Sequence, residues 1–460
     1  MTFSDYIDYL RGKRIGVIGF GVSNQPLVRV LLRNGCDVTV CDRRERAQLG
    51  AAGDEAAAQG AKFALGADYL EHLDFDVIFR TPGVLPIVPQ LRKAAQNGAI
   101  LTSEMEAFCN LCPCRILAIT GSDGKTTTST ITAELLRAQG YTVHLGGNIG
   151  TPLFDRIPDI RPDDFAVLEL SSFQLHSMHC APDVAIITNI SPNHLDVHPD
   201  LEDYVSAKCS IYRGQRPDGA LVLNARDAHT PRFAAEAPGS VRYFSSIGPV
   251  ENGVYCSDGV IYRAHGGKAE KLIDVSDIRI PGAHNVENYM AAFAATDGLV
   301  GQAACVQVAR SFAGVPHRME RIRELNGITF INDSIASSPT RTIAGLHALP
   351  KPPVIILGGH DKHIPFDELG DEVCLHAKAA VVVGETAQRI AAAIRGSKFY
   401  DPGKLPLVEA QDFRAAVETA YRLAQSGDTV TLSPACSSFD LFKNFAERGD
   451  TFRAIVEGLQ

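Results

Sequence analysis

The chain has 460 residues, 45% of them hydrophobic and 21% charged, with a formal net charge of -9. This composition is typical of a globular protein, and the acidic charge disfavours nucleic-acid and membrane-surface binding, which favour basic patches. No run approaches the roughly 18 apolar residues of a membrane span, and the N-terminus lacks the apolar core of a signal peptide. We therefore expect a cytoplasmic protein without stable membrane insertion or a nucleic-acid partner. We also expect a monomer, an expectation that composition and charge do not test.

The first predicted segment alternates strands and helices, which indicates a parallel, doubly wound sheet. It opens with RIGVIGFGVSN at residues 14–24, an apolar run followed by a glycine turn and a helical pattern. Asn24 stands where a dinucleotide fingerprint has its third glycine, so the loop is weak support for NAD binding. A helix N-terminus at this turn can still hold a diphosphate.

Three cysteines cluster near the end of this segment, at Cys109, Cys112 and Cys114. A structural zinc site needs a fourth ligand, and the neighbouring sequence offers none, so we interpret the cluster as part of a linker. The other cysteines are scattered along the chain. In a cytosolic protein this distribution indicates free thiols rather than a framework of disulfide bonds.

The second segment has a strand, a glycine loop and a helix in direct succession. The strand is RILAIT at residues 115–120, and the loop GSDGKTTT follows at residues 121–128, with two residues between its glycines where a generic P-loop has four. Glycines let backbone N–H groups converge on phosphate oxygens, the lysine reaches the β- and γ-phosphates, and the next threonine can ligate Mg²⁺. The expected ATP-binding residues are Gly121, Ser122, Asp123, Gly124, Lys125, Thr126, Thr127 and Thr128, with Lys125 catalytic and Thr126 a metal ligand.

Two further polar positions follow apolar runs in this segment. Glu169 lies near the end of the run AVLEL, with Ser171 close behind, and His194 lies in NISPNHLDVH after the run DVAIIT. Residues at the carboxyl ends of parallel strands point into the ligand crevice, so Glu169 and His194 are candidate Mg²⁺ ligands. Lys208 lies in a predicted helix, where its pattern alone indicates a surface lysine.

The third segment supplies apolar, β-branched runs that predict buried strands, namely PPVIILGG, AAVVVG and DTVTLSP. Lys362 follows the first run and a glycine pair, where its ammonium can bind a substrate carboxylate. The chain is therefore predicted to be α/β with three domains. These are a Rossmann-like N-terminal domain at residues 1–112, a central P-loop-type ATP-binding domain with a mainly parallel sheet at 113–315, and a Rossmann-like C-terminal domain at 316–460.

Together these motifs resemble the Mur ligases of bacterial cell-wall synthesis. The resemblance spans nearly the whole chain and rests on TGSDGKTTT, LELSSFQL, NISPNHLDVH, GAHNVENYMAA, PHRMER and NDS. The short phosphate loop is the form typical of this family. In addition, LSPACSSFDLFKNFAERGD resembles the stretch with which D-glutamate-adding members contact the amino acid.

The resemblance implies ATP-dependent ligation of D-glutamate to UDP-N-acetylmuramoyl-L-alanine through an acyl phosphate, with two Mg²⁺ ions. It implies that Lys208 is carbamylated and shares the second Mg²⁺ with His194, so that both are catalytic together with Lys125 and Glu169. Asn288, Arg318 and Asp333 would contact the nucleotide. The implied substrate-binding residues are Val22, Ser23, Asp42, Arg43, Arg44, Gly83, Asn148, Ser171, Ser337, Lys362, Ser438, Phe439 and Phe445.

Alternatives stay open at this point. A folate-type polyglutamate ligase would share the later segments, but GFGVSN speaks for a UDP-binding first domain that such a ligase lacks. A nicotinamide-dependent dehydrogenase would leave GSDGKTTT unexplained, and a non-catalytic nucleotide-binding module would not need Lys125, Glu169 and His194 at strand ends. A Mur ligase that adds L-glutamate also stays open, because Ser337 and Ser338 depart from the pattern common in D-glutamate enzymes.

Overall fold

The structure is a computed structural model that describes residues 1–192, 197–361 and 364–460. The chain folds into two compact units, Met1–Phe312 and Ala313–Gln460. Unit 1 contains two β-sheets and unit 2 contains one. The α/β class with mainly parallel sheets is confirmed, whereas the division into three domains stays a prediction. None of the described helices is both long and apolar enough to cross a membrane.

Five parallel strands form the first sheet of unit 1. They are β1 (Arg14–Ile18), β2 (Asp37–Asp42), β3 (Lys62–Leu65), β4 (Val77–Arg80) and β5 (Ile100–Thr102), in the order β3-β2-β1-β4-β5. The strand order reverses between β1 and β4, and sheets of this kind bind ligands at the carboxyl ends of the strands beside such a switch point. The helices of this region are α1 (Phe3–Arg11), α2 (Asn24–Arg33), α3 (Gly50–Ala58), α4 (Pro89–Gln96) and α5 (Glu104–Leu111).

The second sheet of unit 1 has the strand order β14-β13-β12-β11-β10-β9-β6-β8-β7 and is parallel from β7 to β12. Because β6 lies between β8 and β9, the loops that follow these three strands meet at one edge. The strands are β6 (Arg115–Thr120), β7 (Val143–Gly147), β8 (Phe165–Glu169), β9 (Val184–Ile187), β10 (Ala220–Asn224), β11 (Ser240–Ser245), β12 (Gly253–Ser257), β13 (Val260–His265) and β14 (Lys268–Asp274). The helices are α6 (Lys125–Ala138), α7 (Ser172–Leu175), α8 (Leu201–Arg213), α9 (Thr230–Glu236), α10 (Ala283–Ala295) and α11 (Gln302–Ser311).

Unit 2 is built on a sheet with the order β15-β16-β20-β17-β18-β19, in which only the β15–β16 pair is antiparallel. Its strands are β15 (Glu320–Leu325), β16 (Ile328–Asn332), β17 (Val354–Leu357), β18 (Ala379–Val382), β19 (Leu407–Glu409) and β20 (Thr429–Leu432). Its helices are α12 (Pro339–Ala348), α13 (Asp367–His376), α14 (Ala387–Gly396), α15 (Phe413–Leu423) and α16 (Phe445–Glu457).

Several strands of the three sheets are buried along their whole length. Every residue of β4, β8, β9 and β10 is buried, and so is every residue of β17 and β18. Strands covered on both faces form from continuous apolar runs rather than from alternating patterns, which is why runs such as VIIL and AVL predicted them. A polar residue at the end of such a strand is therefore an exception to the apolar pattern. These exceptions indicate where the candidate site lies.

Candidate active site

The glycine loop after β6 is fixed against the loops that follow neighbouring strands. Ser122 N donates a hydrogen bond of 2.9 Å to the carbonyl of Asn189, which follows β9. Thr188 Oγ1 donates one of 2.6 Å to the carbonyl of Asp123. After β7, Asn148 N donates one of 2.7 Å to the carbonyl of Glu169. The structure therefore brings the predicted phosphate loop, Glu169 and Asn148 together at one sheet edge.

Two glycines give this loop its shape. Gly121 has a φ of 145° and Gly124 a φ of 76°, values that residues with a side chain rarely adopt. A Cβ at Gly121 would also collide with Oγ1 of Thr188, and one at Gly124 with Oδ1 of Asn288. Because α6 begins directly after Gly124, the N–H groups of its first turn lie at the loop, in the arrangement by which helix N-termini bind phosphate.

Glu169 is a buried carboxylate whose hydrogen-bond partners are neutral groups. It is 1% exposed. Its Oε2 accepts a hydrogen bond of 2.7 Å from Oγ1 of Thr126, and its Oε1 accepts one of 2.9 Å from Nδ2 of Asn148. A carboxylate beside a hydroxyl at the end of a phosphate loop provides the hard oxygen ligands that Mg²⁺ prefers. The residues present therefore fit a magnesium ion.

The Lys125 ammonium lies against the loop that precedes it. Its Nζ donates hydrogen bonds of 2.9 Å and 2.8 Å to the carbonyls of Gly121 and Ser122. This position places a positive charge where a bound phosphate would need one.

Lys208 on α8 is 1% exposed, so the surface position that its helical pattern indicated is wrong. Its Nζ donates a hydrogen bond of 2.7 Å to the carbonyl of Gly121. Burial lowers the pKa of Lys208 well below its ordinary value, and the charge of Lys125 lowers that pKa further. The surroundings of Lys208, beside the phosphate loop, therefore favour the neutral amine over the ammonium.

A cavity of about 150 Å³ opens next to this loop. Asn288 of α10 lies at its wall, and Oδ1 of Asn288 accepts a hydrogen bond of 3.2 Å from Oγ1 of Thr128. The predicted nucleotide contact at Asn288 is thus beside the phosphate loop, within unit 1. The cavity is lined by Asp123, Gly124, Thr188, Asn189, Phe244, His284, Glu287 and Asn288.

The first sheet presents the predicted UDP-binding residues at its switch point. Asp42 ends β2, and its carboxylate accepts hydrogen bonds from the Arg44 side chain and, at 2.7 Å, from the backbone N–H of Phe20. Burial alone would raise the pKa of Asp42, but these hydrogen bonds lower it to about 2. The Asp42–Arg44 pair therefore supports the glycine loop after β1. The exposed predicted residues here are Val22, Ser23, Arg43 and Gly83, in the loops after β1, β2 and β4.

Unit 2 gathers further predicted residues after β16 and β20. Asp333 follows β16, and its Oδ2 accepts a hydrogen bond of 2.9 Å from Oγ of Ser433. Burial raises the pKa of Asp333 to about 6. Ser438, which follows β20, is also buried. Of the others, Arg318 and Ser337 are half-buried, whereas Phe439 and Phe445 are exposed.

Two predicted site residues, His194 and Lys362, lie outside the described residues, so their roles stay predictions. Ser171 is described and is the N-cap residue directly before α7, where its Oγ accepts a hydrogen bond from the backbone N–H of Gln174. This bond anchors the chain directly after Glu169.

Comparison with known proteins identifies the family of this chain. The profile of the Mur ligase middle domain matches residues 119–296, and that of the Mur ligase glutamate ligase domain matches residues 317–436. The UDP-N-acetylmuramoylalanine–D-glutamate ligase of Acetivibrio thermocellus is 45% identical over 461 residues, which cover 99% of each chain. The ligase of the same name from Clostridium kluyveri is 43% identical over 465 residues, which cover 100% of this chain and 99% of its own. This chain belongs to the Mur ligase family.

Solved structures of other Mur ligases share the fold. UDP-N-acetylmuramate-alanine ligase from Thermotoga maritima has a TM-score of 0.53 at 17% identity, covering 97% of this chain and 99% of that one. UDP-N-acetylmuramoyl-L-alanyl-D-glutamate–2,6-diaminopimelate ligase has a TM-score of 0.53 at 19% identity, covering 97% and 93%. Membership of the family makes this chain an ATP-dependent amide-bond ligase.

Sequence reasoning missed Arg80, the last residue of β4 in this Mur ligase. Its guanidinium is buried and donates hydrogen bonds to Oγ of Ser177 at 2.7 Å, to the carbonyl of Phe173 at 3.0 Å and to the carbonyl of Val84 at 3.4 Å. Burial lowers the pKa of Arg80 to about 10. Arg80 therefore ties the loop that contains Gly83 to the α7 region of the second sheet. The available sequence signal was a charged residue that closes an apolar run.

Replacing Arg80 by methionine is expected to lower the free energy of unfolding by about 3 kcal/mol. Methionine fills part of the volume but donates no hydrogen bond, so the carbonyls of Phe173 and Val84 lose a buried partner. Urea denaturation followed by circular dichroism measures the change. Arg92→Met, at an exposed position of α4, is the matched control and should alter stability by less than about 0.5 kcal/mol. Equal stability of Arg80→Met and the wild type would contradict this role.

A second missed group connects α7 to α8. Nδ1 of the buried His198 lies 2.6 Å from Oδ2 of Asp203, and its Nε2 lies 3.0 Å from Oγ of Ser172. His176 shares the same carboxylate, with its Nε2 3.1 Å from Oδ1 of Asp203. The network joins the helix after β8 to the helix that carries Lys208.

Proposed function

We propose that this Mur ligase joins D-glutamate to UDP-N-acetylmuramoyl-L-alanine, with the conversion of ATP to ADP and phosphate. The observation that carries the proposal is its 45% identity, over 99% of the chain, to a ligase named for this reaction. The product is a nucleotide-linked precursor of peptidoglycan. Because ATP supplies the energy, we place the reaction in the cytoplasm.

The phosphate loop supports an activation step in which ATP phosphorylates the terminal carboxylate of the alanine. The transferring phosphoryl group carries spread negative charge, so the protein contributes positioning and positive charge rather than a nucleophile. The loop N–H groups and the N-terminus of α6 hold the phosphates, and Lys125 neutralises charge on the group in transfer. The amine of D-glutamate then attacks the resulting acyl phosphate, and phosphate leaves.

Thr126 and Glu169 would hold one Mg²⁺, and His194 and a carbamylated Lys208 a second. When bound, Mg²⁺ supplies positive charge to the phosphate oxygens. The hydrogen bond from Asn148 to Glu169 orients the carboxylate, as partners of metal ligands commonly do. Asn148 is thus proposed to contact the muramoyl substrate and also to orient the metal ligand Glu169.

Carbamylation requires a neutral amine, because the nitrogen lone pair must attack the carbon of CO₂. The new N–C bond forms as a C=O pair moves onto oxygen, and the nitrogen loses a proton to solvent. The burial of Lys208 beside Lys125 favours the neutral amine, and the resulting carbamate carries one negative charge. An anion at this position would attract a divalent cation beside the phosphate loop.

The two substrates are assigned to different units. Val22, Ser23, Arg43 and Gly83 surround the switch point of the first sheet, which suits the UDP group. D-glutamate brings two carboxylates and an amine, for which Lys362, Ser337 and Ser438 in unit 2 supply charge and hydroxyl groups. Phe439 and Phe445 are proposed to pack on the aliphatic part of D-glutamate. Arg318 and Asp333 are proposed to contact the nucleotide.

The test is release of phosphate with UDP-N-acetylmuramoyl-L-alanine and ATP in the presence of single amino acids. D-glutamate should support turnover, whereas L-glutamate, meso-diaminopimelate and L-lysine should stay at the level without amino acid. Turnover with L-glutamate but not with D-glutamate would show that the alternative substrate is correct. No turnover with any amino acid would contradict the proposed function.

A further inference from the structure

Two histidines and a glutamate meet at the surface of unit 2, outside every element assigned above to the reaction. His347 lies in the last turn of α12, and Glu372 and His376 lie one turn apart on α13. Nε2 of His347 is 2.6 Å from Oε2 of Glu372, and Nε2 of His376 is 3.4 Å from the same oxygen. One ligand atom from each of the three side chains lies within 4.8 Å of the others.

These separations suit a small divalent cation. Zinc binds imidazole nitrogen and carboxylate oxygen at about 2.0–2.2 Å in a tetrahedral arrangement, so neighbouring ligand atoms lie about 3.3 Å apart. The spacing of Glu372 and His376 places both on one face of α13, and His347 reaches them from α12. The three ligand atoms lie 2.6 Å, 3.4 Å and at most 4.8 Å from one another, which is close to these zinc-binding separations.

The backbone adds to the attraction for a cation. His376 is the last residue of α13, and His347 is the last but one of α12. The carboxyl end of a helix carries a partial negative charge of about half an elementary charge from its unpaired carbonyls. Two such ends and the Glu372 carboxylate therefore surround the same point.

The cluster is also open to solvent. The side chains of His347 and His376 are 50% and 45% exposed, and that of Glu372 is 25% exposed. A cation can therefore enter without local unfolding, and water can fill the fourth coordination position.

We propose that His347, Glu372 and His376 form a binding site for Zn²⁺ that bridges α12 and α13. The two imidazoles select a transition-metal ion over Mg²⁺, which prefers oxygen ligands and retains its water. The ion would crosslink the carboxyl ends of two helices and so stabilise unit 2. This site does not depend on the proposed function, because Ser337 lies at the opposite end of α12, about 15 Å away along a helix of this length.

The experiment measures zinc binding to the full chain after removal of metal by a chelator. Equilibrium dialysis at pH 7.5 compares the wild type with His347→Ala and His376→Ala. His265→Ala is the matched control, because His265 is 61% exposed and lies 3.4 Å from one carboxylate, that of Asp297. His265 belongs to no group of three candidate ligands within the described residues.

Each cluster variant should bind about one zinc ion fewer per chain than the wild type and the control at micromolar free zinc. Zinc, but not magnesium, should raise the thermal midpoint of the wild type by several degrees, and this rise should shrink in both cluster variants. The cysteine thiols and the His176–His198–Asp203 group stay intact in every variant, so zinc bound there cancels in the comparison. Equal zinc stoichiometry and equal thermal shifts in all four proteins would overturn the proposal.

Discussion

Replacing Lys125 by alanine is expected to lower kcat for ligation by roughly 10³-fold, equivalent to about 4 kcal/mol of transition-state stabilisation. The reason is the position of Nζ, which lies against the Gly121 and Ser122 carbonyls at the start of α6. Alanine removes the charge that neutralises the transferring phosphoryl group, while the N–H groups of the loop stay in place. Phosphate release with saturating ATP and both other substrates measures the effect.

The fold of the Lys125→Ala protein should be unchanged, because the hydrogen bonds that its ammonium donates to described residues, the Gly121 and Ser122 carbonyls, lie in one loop. Circular dichroism and the urea midpoint check this expectation. Lys268→Ala, at the exposed start of β14, removes the same charge elsewhere and should retain full turnover. A Lys125→Ala enzyme with near-normal turnover would refute the assignment of this loop to the ATP phosphates.

The sequence predicted that the phosphate loop and Glu169 lie at one sheet edge, and this placement follows from one geometric rule. Gly121–Thr128 and Glu169 each follow a continuous apolar run, and such runs become buried parallel strands whose carboxyl ends share one edge. The rule needs only the order of apolar and polar residues along the chain. It therefore places the Thr126–Glu169 contact at the correct edge without any knowledge of helix packing.

The burial of Lys208 could not be predicted by this rule. The helical pattern around Lys208 indicated a surface position for the lysine, but Lys208 itself and most of its neighbours are buried. Burial of a lysine depends on which helix face meets the phosphate loop, and that is decided by tertiary packing. The family resemblance singled out Lys208 because it compares whole sites rather than helical patterns.

Arg80 and His198 were missed for a related reason. Each side chain is buried and held by polar partners, Arg80 by Ser177 and His198 by Asp203 and Ser172. Ser177 is 97 positions from Arg80, and pairs so far apart leave no periodic signal in a single sequence. A charged residue that closes an apolar run, as Arg80 does, indicates that some partner exists, but it does not indicate which one.

Replacing Lys208 by alanine is expected to abolish ligation, with partial recovery on addition of a small carboxylate such as acetate. The loss follows because alanine offers no amine to carbamylate, and the recovery follows because the vacated space beside Gly121 can admit an anion in place of the carbamate. Turnover is measured with increasing acetate and with chloride at matched ionic strength. Full activity of Lys208→Ala without added carboxylate would contradict the carbamate role.

Lys208→Met distinguishes rescue at this site from a general effect of acetate. Methionine has nearly the volume of lysine, so it keeps the core around α8 packed and leaves no room for acetate, yet it cannot be carbamylated. We expect Lys208→Met to fold as stably as the wild type or more so, because it removes the cost of burying an amine, and to stay inactive at every acetate concentration. Recovery confined to the alanine variant would support an anion beside the phosphate loop. Equal recovery in both variants would mean that acetate acts elsewhere, and the role of Lys208 would then be limited to packing and to its hydrogen bond with Gly121.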